Sequence, residues 1–283
     1  MGQIIDGKTL AAEIDKQTMT EVQKLKNQGV EPHLVVVLVG ENPASQIYVR
    51  NKEKRANKLG IKSTLVTMNA DISENELLLK IQELNQTEDV NAILVQMPLP
   101  KHIDAFKVTM AIDPRKDVDG FHPVNVGKLF EGKTQHTPIA CTPQGIMEMF
   151  QKYHIDIQGK RAVVVGRSSI VGKPMAALLL NANATVTLAH SYTKNLAALT
   201  KEADILVVAT GIAHFIKEDQ VKEGAVVIDV GMDRDENGKL TGDVDFENVE
   251  KHVSYITPVP KGVGPMTISM LMKQTVNLTK WSI

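Results

Sequence analysis

Residues 161–180 read RAVVVGRSSIVGKPMAALLL. Four apolar residues, Ala162 to Val165, stop at Gly166, and a second glycine, Gly172, opens an apolar run through Pro174 to Leu180. The pattern is a buried strand, a tight turn and a helix. A glycine at the end of a parallel strand lets the backbone approach a phosphate, and the free N–H groups of the following helix favour an anion. The turn from Gly166 to Gly172 departs from the G-x-G-x-x-G dinucleotide fingerprint, because Ser168 replaces its second glycine and the turn is longer. The local pattern alone leaves two readings, a phosphate loop or a turn glycine followed by a packing glycine with no ligand.

Strands and helices alternate on both sides of this stretch. After it come strands at 184–189, 204–208 and 225–229, helices at 172–182 and 194–202, a short strand at 254–256 and a last helix over about 266–279. Before it, residues 9–28 have a helical apolar period, and the continuous apolar run 34–40 suits a parallel strand buried on both faces. Asn42 supplies an N-cap and Pro43 the first helical position of a helix that should stop at Gly60. Residues 61–68 read as a strand, Ser73 and Glu76 form a capping box for a helix through about Asn85, and 92–96 is a further buried strand. From Asp113 to Gln135 the period fades into what reads as a long ordered loop, after which Thr142-Pro143 caps a helix to about Lys152.

The fold class is therefore α/β with two domains. Residues 1–140 plus 264–283 form an α/β substrate domain to which the C-terminal helix returns, and 141–263 a doubly wound, Rossmann-like dinucleotide-binding domain.

The 32 Lys+Arg against 33 Asp+Glu leave a formal charge of -1, without the basic excess of a nucleic-acid or membrane-surface binder. A single cysteine, Cys141, excludes an internal disulfide and a thiolate metal cluster, and the dispersed histidines have no metal-ligand spacing, so no metal is expected. Cys141 itself reads as a small buried residue before a helix rather than a nucleophile. The N-terminus lacks a basic and apolar leader, and no apolar run reaches the length of a membrane span, so a cytoplasmic protein is expected.

Tyr48 and Lys52 lie at i, i+4 on the predicted helix after Pro43, hence on one face. Such a pair commonly forms a solvated face. It also marks short-chain dehydrogenases, but there it follows the cofactor loop, whereas here it precedes the loop in a different predicted domain. Gln96 ends a buried strand, where ligands of parallel sheets are met, and Asp119 could accept two N–H bonds from a guanidine-like heterocycle edge. Locally, Gln96 also reads as a strand-end polar residue facing water, and for Asp119 an ordinary turn aspartate is the stronger reading.

Six segments in order, VGENPASQIYVRNK, ILVQMPLP, KDVDGFHPVNVGKL, CTPQGI, VVVGRSSIVGKP and YITPVPKGVGPMT, resemble the methylenetetrahydrofolate dehydrogenase/methenyltetrahydrofolate cyclohydrolase family over essentially the whole chain. The resemblance implies hydride transfer from the methylene bridge of the folate to NADP, then hydrolysis of the methenyl bridge to 10-formyltetrahydrofolate. It makes Lys52 the central catalytic residue. By similarity Tyr48 would stack on the aminobenzoyl ring and orient the lysine, and Gln96 would hold it by hydrogen bonding. By the same resemblance Asp119 would bind the pterin edge, Ser45 would line the pocket, and Gly264 and Pro265 would form a substrate-side loop.

Gly166, Arg167, Ser168, Ile170, Gly172 and Ser191 would contact the cofactor. NAD sites carry an acid at the end of the second strand. Here Ala189 to Lys194 holds no carboxylate, while Arg167 and Ser191 match positions that meet a 2′-phosphate, so NADP is expected over NAD. The resemblance also implies a homodimer acting on tetrahydrofolate one-carbon derivatives, with no nucleic-acid or membrane partner. Two departures stand out: Lys261 replaces a glycine of the family's Pro-Val-Pro-Gly-Gly-Val-Gly-Pro, and Ala140 stands where proline is frequent.

Overall fold

The computed structural model describes residues 1–234 and 238–283. In chain order its first half holds β1 (Gln3–Ile4), α1 (Gly7–Asn27), β2 (His33–Val39), α2 (Pro43–Leu59), β3 (Lys62–Met68), α3 (Glu74–Gln86), β4 (Ala92–Val95), α4 (Ala105–Ala111) and α5 (Pro123–Phe130). Then follow α6 (Cys141–Lys152), β5 (Arg161–Val165), α7 (Gly172–Asn181), β6 (Thr185–Ala189), α8 (Leu196–Thr200), β7 (Ile205–Val208) and β8 (Val226–Asp229). The chain ends with the hairpin strands β9 (Asp233–Arg234) and β10 (Leu240–Thr241), α9 (Phe246–Val249), β11 (Tyr255–Ile256) and α10 (Val263–Ser282). The chain divides into two compact units, Glu13–Ile139 with Ile268–Ile283, and Met1–Ala12 with Ala140–Thr267.

The unit built on Glu13–Ile139 carries a parallel three-stranded sheet in the order β3-β2-β4. All seven residues of β2 are buried, as its unbroken apolar run requires of a central strand covered on both faces. Val35, Val37 and Val39 on one side of β2 pack with Leu77 and Ile81 of α3 and Val108 of α4. Local chemistry sets the helix ends. The Asn42 side chain accepts from Ser45 N at 3.1 Å, Pro43 opens α2, and Gly60 closes it with a φ of 79°. Ser73 and Glu76 form the reciprocal capping box of α3.

The expected loop over 113–135 contains α5, which the sequence reading misses. This helix is eight residues long with Gly127 inside it, too short and too weak in propensity to show a period.

The other unit holds a six-stranded sheet in the order β1-β11-β8-β7-β5-β6. All of its pairings are parallel. From β5 the chain steps outward to β6 and then crosses back to β7 on the other side, so the strand order reverses between β5 and β7. In open parallel sheets a ligand binds outside the carboxyl ends of the strands at such a switch point. Val163, Val165, Leu206, Val208 and Val227 form the centre of the core beneath it.

The expected boundaries shift here in two ways. Residues 1–12 belong with this sheet rather than with the substrate domain, because Gln3 pairs with Tyr255 and Ile4 with Ile256, adding β1 to its edge. A two-residue strand has no period to read, and its partner lies at the far end of the sequence. Residues 264–267 also group with this unit, although the rest of α10 belongs to the other. Among the described residues no helix is long and apolar enough to cross a membrane.

Candidate active site

In the first unit the candidate catalytic side chains gather at the carboxyl end of the small sheet. Lys52 Nζ donates to Gln96 Oε1 at 3.0 Å, and Gln96 Nε2 donates to the Met97 carbonyl at 2.7 Å. That second bond fixes the orientation of the amide, so its oxygen faces the ammonium. The backbone N–H of Gln96 continues the ladder to Val37 O, which places the residue one step beyond β4. Tyr48 stands one turn before Lys52 on α2 with 42% of its surface exposed, and Ser45 is buried one turn earlier. The ring is thus open to a ligand while the lysine is half-buried.

Packing anchors α2 itself. Arg55, three residues after Lys52, forms an ion pair with buried Asp15 of α1, which also accepts from Ser269 Oγ of α10 at 2.8 Å. No sequence motif announces that network, because its members come from three distant helices.

Asp119 completes the group. Part of its surface remains accessible, but the protein around its carboxyl is dense, and burial raises the group to about 6; the Lys52 charge opposes the rise and the Asp117 charge adds to it. Buried Asp117 holds the loop that presents Asp119. Its carboxylate accepts from Gly120 N at 3.1 Å, His122 N at 2.8 Å and Asn125 Nδ2 at 2.9 Å. From α10, Gln274 Nε2 donates to the Val118 carbonyl at 2.6 Å. The sequence reading singled out Asp119 and missed both supports, since a turn aspartate and a helical glutamine carry no signal until their partners are known.

In the second unit the turn after β5 is shaped by its glycines. Gly166 has a φ of +120°, and a Cβ there would overlap the Ala209 carbonyl oxygen beyond β7. A Cβ on Gly172 would overlap the carbonyl oxygen of Gly166, so the first turn of α7 lies directly on the loop. Ser168, in place of the middle glycine, ties the loop from inside: its hydroxyl accepts from Val171 N at 3.1 Å and Gly172 N at 3.4 Å.

Arg167, Ser168, Ile170 and Ser191 are exposed along the rim. The Arg167 guanidinium lies 5.6 Å from the ring centroid of Tyr192, which is 80% exposed just after β6. Tyr192 is absent from the sequence reading; its place beside the guanidinium depends on two strand ends meeting. A glycine cradle, an exposed guanidinium and a β6 end without a carboxylate fit a dinucleotide carrying a 2′-phosphate.

Gly264 and Pro265 lie in the first turn of α10, grouped with the nucleotide-side unit rather than with Lys52. Lys261, just before them, adopts a φ of +86°, a left-handed conformation in which glycine carries no Cβ penalty. Among the described residues no group of three or more His, Cys, Asp or Glu gathers as a metal site.

Residues 5–119 match the tetrahydrofolate dehydrogenase/cyclohydrolase catalytic domain, and residues 140–283 match the NAD(P)-binding domain of the same proteins. The chain belongs to the tetrahydrofolate dehydrogenase/cyclohydrolase family. It is 60% identical over 280 residues to the bifunctional protein FolD of Enterococcus faecalis, covering 99% of each chain. The crystal structure of the Campylobacter jejuni bifunctional FolD superposes with a TM-score of 0.98 at 49% identity, over 100% of both chains. The Trypanosoma brucei enzyme, solved with NADP cofactor and an inhibitor, superposes with a TM-score of 0.93 at 39% identity, covering 99% of this chain and 98% of its own. As a member of this family the chain oxidises 5,10-methylenetetrahydrofolate with NADP and hydrolyses the methenyl product to 10-formyltetrahydrofolate.

Proposed function

We propose that Lys52 is the catalytic residue of this bifunctional enzyme, with Tyr48 and Gln96 shaping its action. The observation that carries the assignment is the 3.0 Å bond from Lys52 Nζ to Gln96 Oε1, with Tyr48 one turn away on the same helix. NADP, when bound, supplies the hydride acceptor. The protein's part in that oxidation is to hold the folate in place: the bridging nitrogens supply the electron pair that expels the hydride, so positioning suffices without a strong base.

Hydrolysis asks more of the side chains. The water oxygen bonds to the cationic bridge carbon, the bond from that carbon to N5 breaks, one water proton reaches N5 and the other is released. Lys52 relays the proton, and Gln96 keeps its nitrogen aimed at the bridge. Tyr48 offers an exposed ring for the aminobenzoyl group, Ser45 lines the pocket beneath it, and Asp119 accepts N–H groups of the pterin edge. On the cofactor side, Gly166 and Gly172 admit the pyrophosphate, and Ser168 and Ile170 line its path. Arg167 and Ser191 bind the 2′-phosphate, and Gly264 and Pro265 form the loop on the substrate side of the cofactor.

The domain assignment follows these roles: a folate-binding catalytic part with Lys52 and an NADP-binding part with Gly166. The enzyme works as a homodimer in the cytoplasm, without nucleic-acid or membrane partners; the family resemblance and the balanced charge support this reading. Lys52→Met, assayed with methenyltetrahydrofolate, tests the central assignment. Loss of hydrolysis with the folate still bound supports it, and undiminished hydrolysis overturns it.

A further inference from the structure

The loop after β7, Ala209 to Ile212, flanks the switch point opposite the loop after β5. Three of its successive backbone N–H groups converge on one side chain from 33 residues beyond Thr210. Asp243 Oδ2 accepts from Thr210 N at 2.5 Å and from Gly211 N at 3.2 Å, and Asp243 Oδ1 accepts from Ile212 N at 3.1 Å. Asp243 has no exposed surface. A buried carboxylate with three N–H donors is well satisfied, and it imposes one conformation on the residues that supply them.

The backbone of Asp243 is fixed in turn. Its N–H donates to Asp229 Oδ1 at 2.9 Å, and the next residue, Val244, donates to Asp229 Oδ2 at 2.9 Å. Asp229, the last residue of β8, also accepts from Gly231 N at 2.9 Å. Two glycines make room for the clasp. A Cβ on Gly231 would overlap the Asp243 carboxylate, and a Cβ on Gly242 would overlap that of Asp229. The loop so held touches the phosphate turn, because the Ala209 carbonyl fills the space that any side chain at residue 166 would need.

We propose that Asp243 is a positioning residue for the dehydrogenase: its carboxylate sets the loop after β7 in the shape against which the dinucleotide binds. The inference rests on the reading that NADP occupies the switch point between the loops after β5 and β7. Burial without exposure, three convergent N–H donors and a first donor, Thr210, next to the Ala209 that meets Gly166 together distinguish Asp243 from an ordinary turn aspartate.

The full-length enzyme provides its own control, since hydrolysis of the methenyl compound depends on Lys52 and needs no cofactor. Asp243→Ala is expected to raise the KM for NADP and the Kd for 2′,5′-ADP by roughly tenfold. Methenyl hydrolysis should stay within about twofold, since no catalytic contact is removed. Asp243→Asn, which keeps one accepting oxygen, should fall between wild type and alanine. An unchanged NADP KM in a folded variant overturns the proposal, as does an equal loss of both activities. Failure of both variants to fold overturns it too, by making the residue a general stability element. Arg167→Ala separates this inference from the reading beneath it. If that change also leaves NADP binding intact, the cofactor does not sit at the switch point; if it weakens binding while the Asp243 variants do not, only the role of Asp243 falls.

Discussion

The two candidate sites, one in each unit, are built on different plans. Around Lys52, polar side chains do the holding: Gln96 holds the lysine, Asp15 holds Arg55 on the same helix, and Asp117 and Gln274 hold the backbone of the loop that presents Asp119. Around Gly166 the close contacts are backbone on backbone, where Gly172 meets Gly166 and Gly166 meets Ala209, and the side chains of Ser168 and Asp243 only tie loop N–H groups. The first plan aims reacting groups, and its failures should appear in the chemistry. The second, as the proposed seat of the diphosphate, should show its failures in cofactor affinity.

The sharpest way to break this contrast is Lys52→Met. It should reduce methenyl hydrolysis by about 10³ while the Kd for NADP, read by fluorescence titration, stays near wild type. A large change in NADP affinity would mean that the two plans are not separable. Gly172→Ala probes the other plan. The added Cβ would overlap the Gly166 carbonyl and crowd Arg167 Cα, both backbone of the loop itself, so dehydrogenase kcat/KM should drop by about a hundredfold, with hydrolysis retained. Arg167→Ala should raise the KM for NADP roughly 30-fold and leave that for NAD nearly unchanged, since only the 2′-phosphate distinguishes them; equal effects on both cofactors would contradict the assignment.

Protonation offers a gentler test. Burial holds the Asp119 carboxyl at about 6, so it is mainly neutral below that pH and mainly ionised above it. Accepting the pterin N–H groups favours the ionised form, so the KM for the folate should fall by up to about tenfold between about pH 5 and about pH 7. Asp119→Asn should flatten that profile, and a profile unchanged by the substitution would assign the titration elsewhere. The smallest effect is expected at Lys261, whose positive φ carries strain. Lys261→Gly should raise stability in thermal unfolding by about 1 kcal/mol without altering either activity.

Much of the fold could be read from local pattern because local chemistry enforces it. Asn42, Pro43 and Gly60 delimit α2 at the expected residues, and Ser73 with Glu76 starts α3, since each cap satisfies donors within one turn of itself. The continuous apolar runs became buried parallel strands. Short elements escaped: α4 and α5 complete too few turns to show a period, and β1 has two residues. The candidate site was legible where spacing carries it, as in the i, i+4 pair Tyr48 and Lys52. It was illegible where partners are distant, as with Arg55 and Asp15 or Arg167 and Tyr192.

The order of residues along the chain was thus enough to specify the alternation of strands and helices, their caps, the glycine turn after β5 and the motifs that place the protein in its family. Packing had to supply the rest. It added β1 to the nucleotide-side sheet, raised the Asp119 carboxyl and aimed Lys52 through Gln96. It also brought Asp243 beneath the loop after β7. The reason is one of range: a cap or a turn is satisfied by neighbours in sequence, whereas a buried carboxylate or ammonium is satisfied by whichever groups the folded chain brings to it, and those are known only once the sheets have formed.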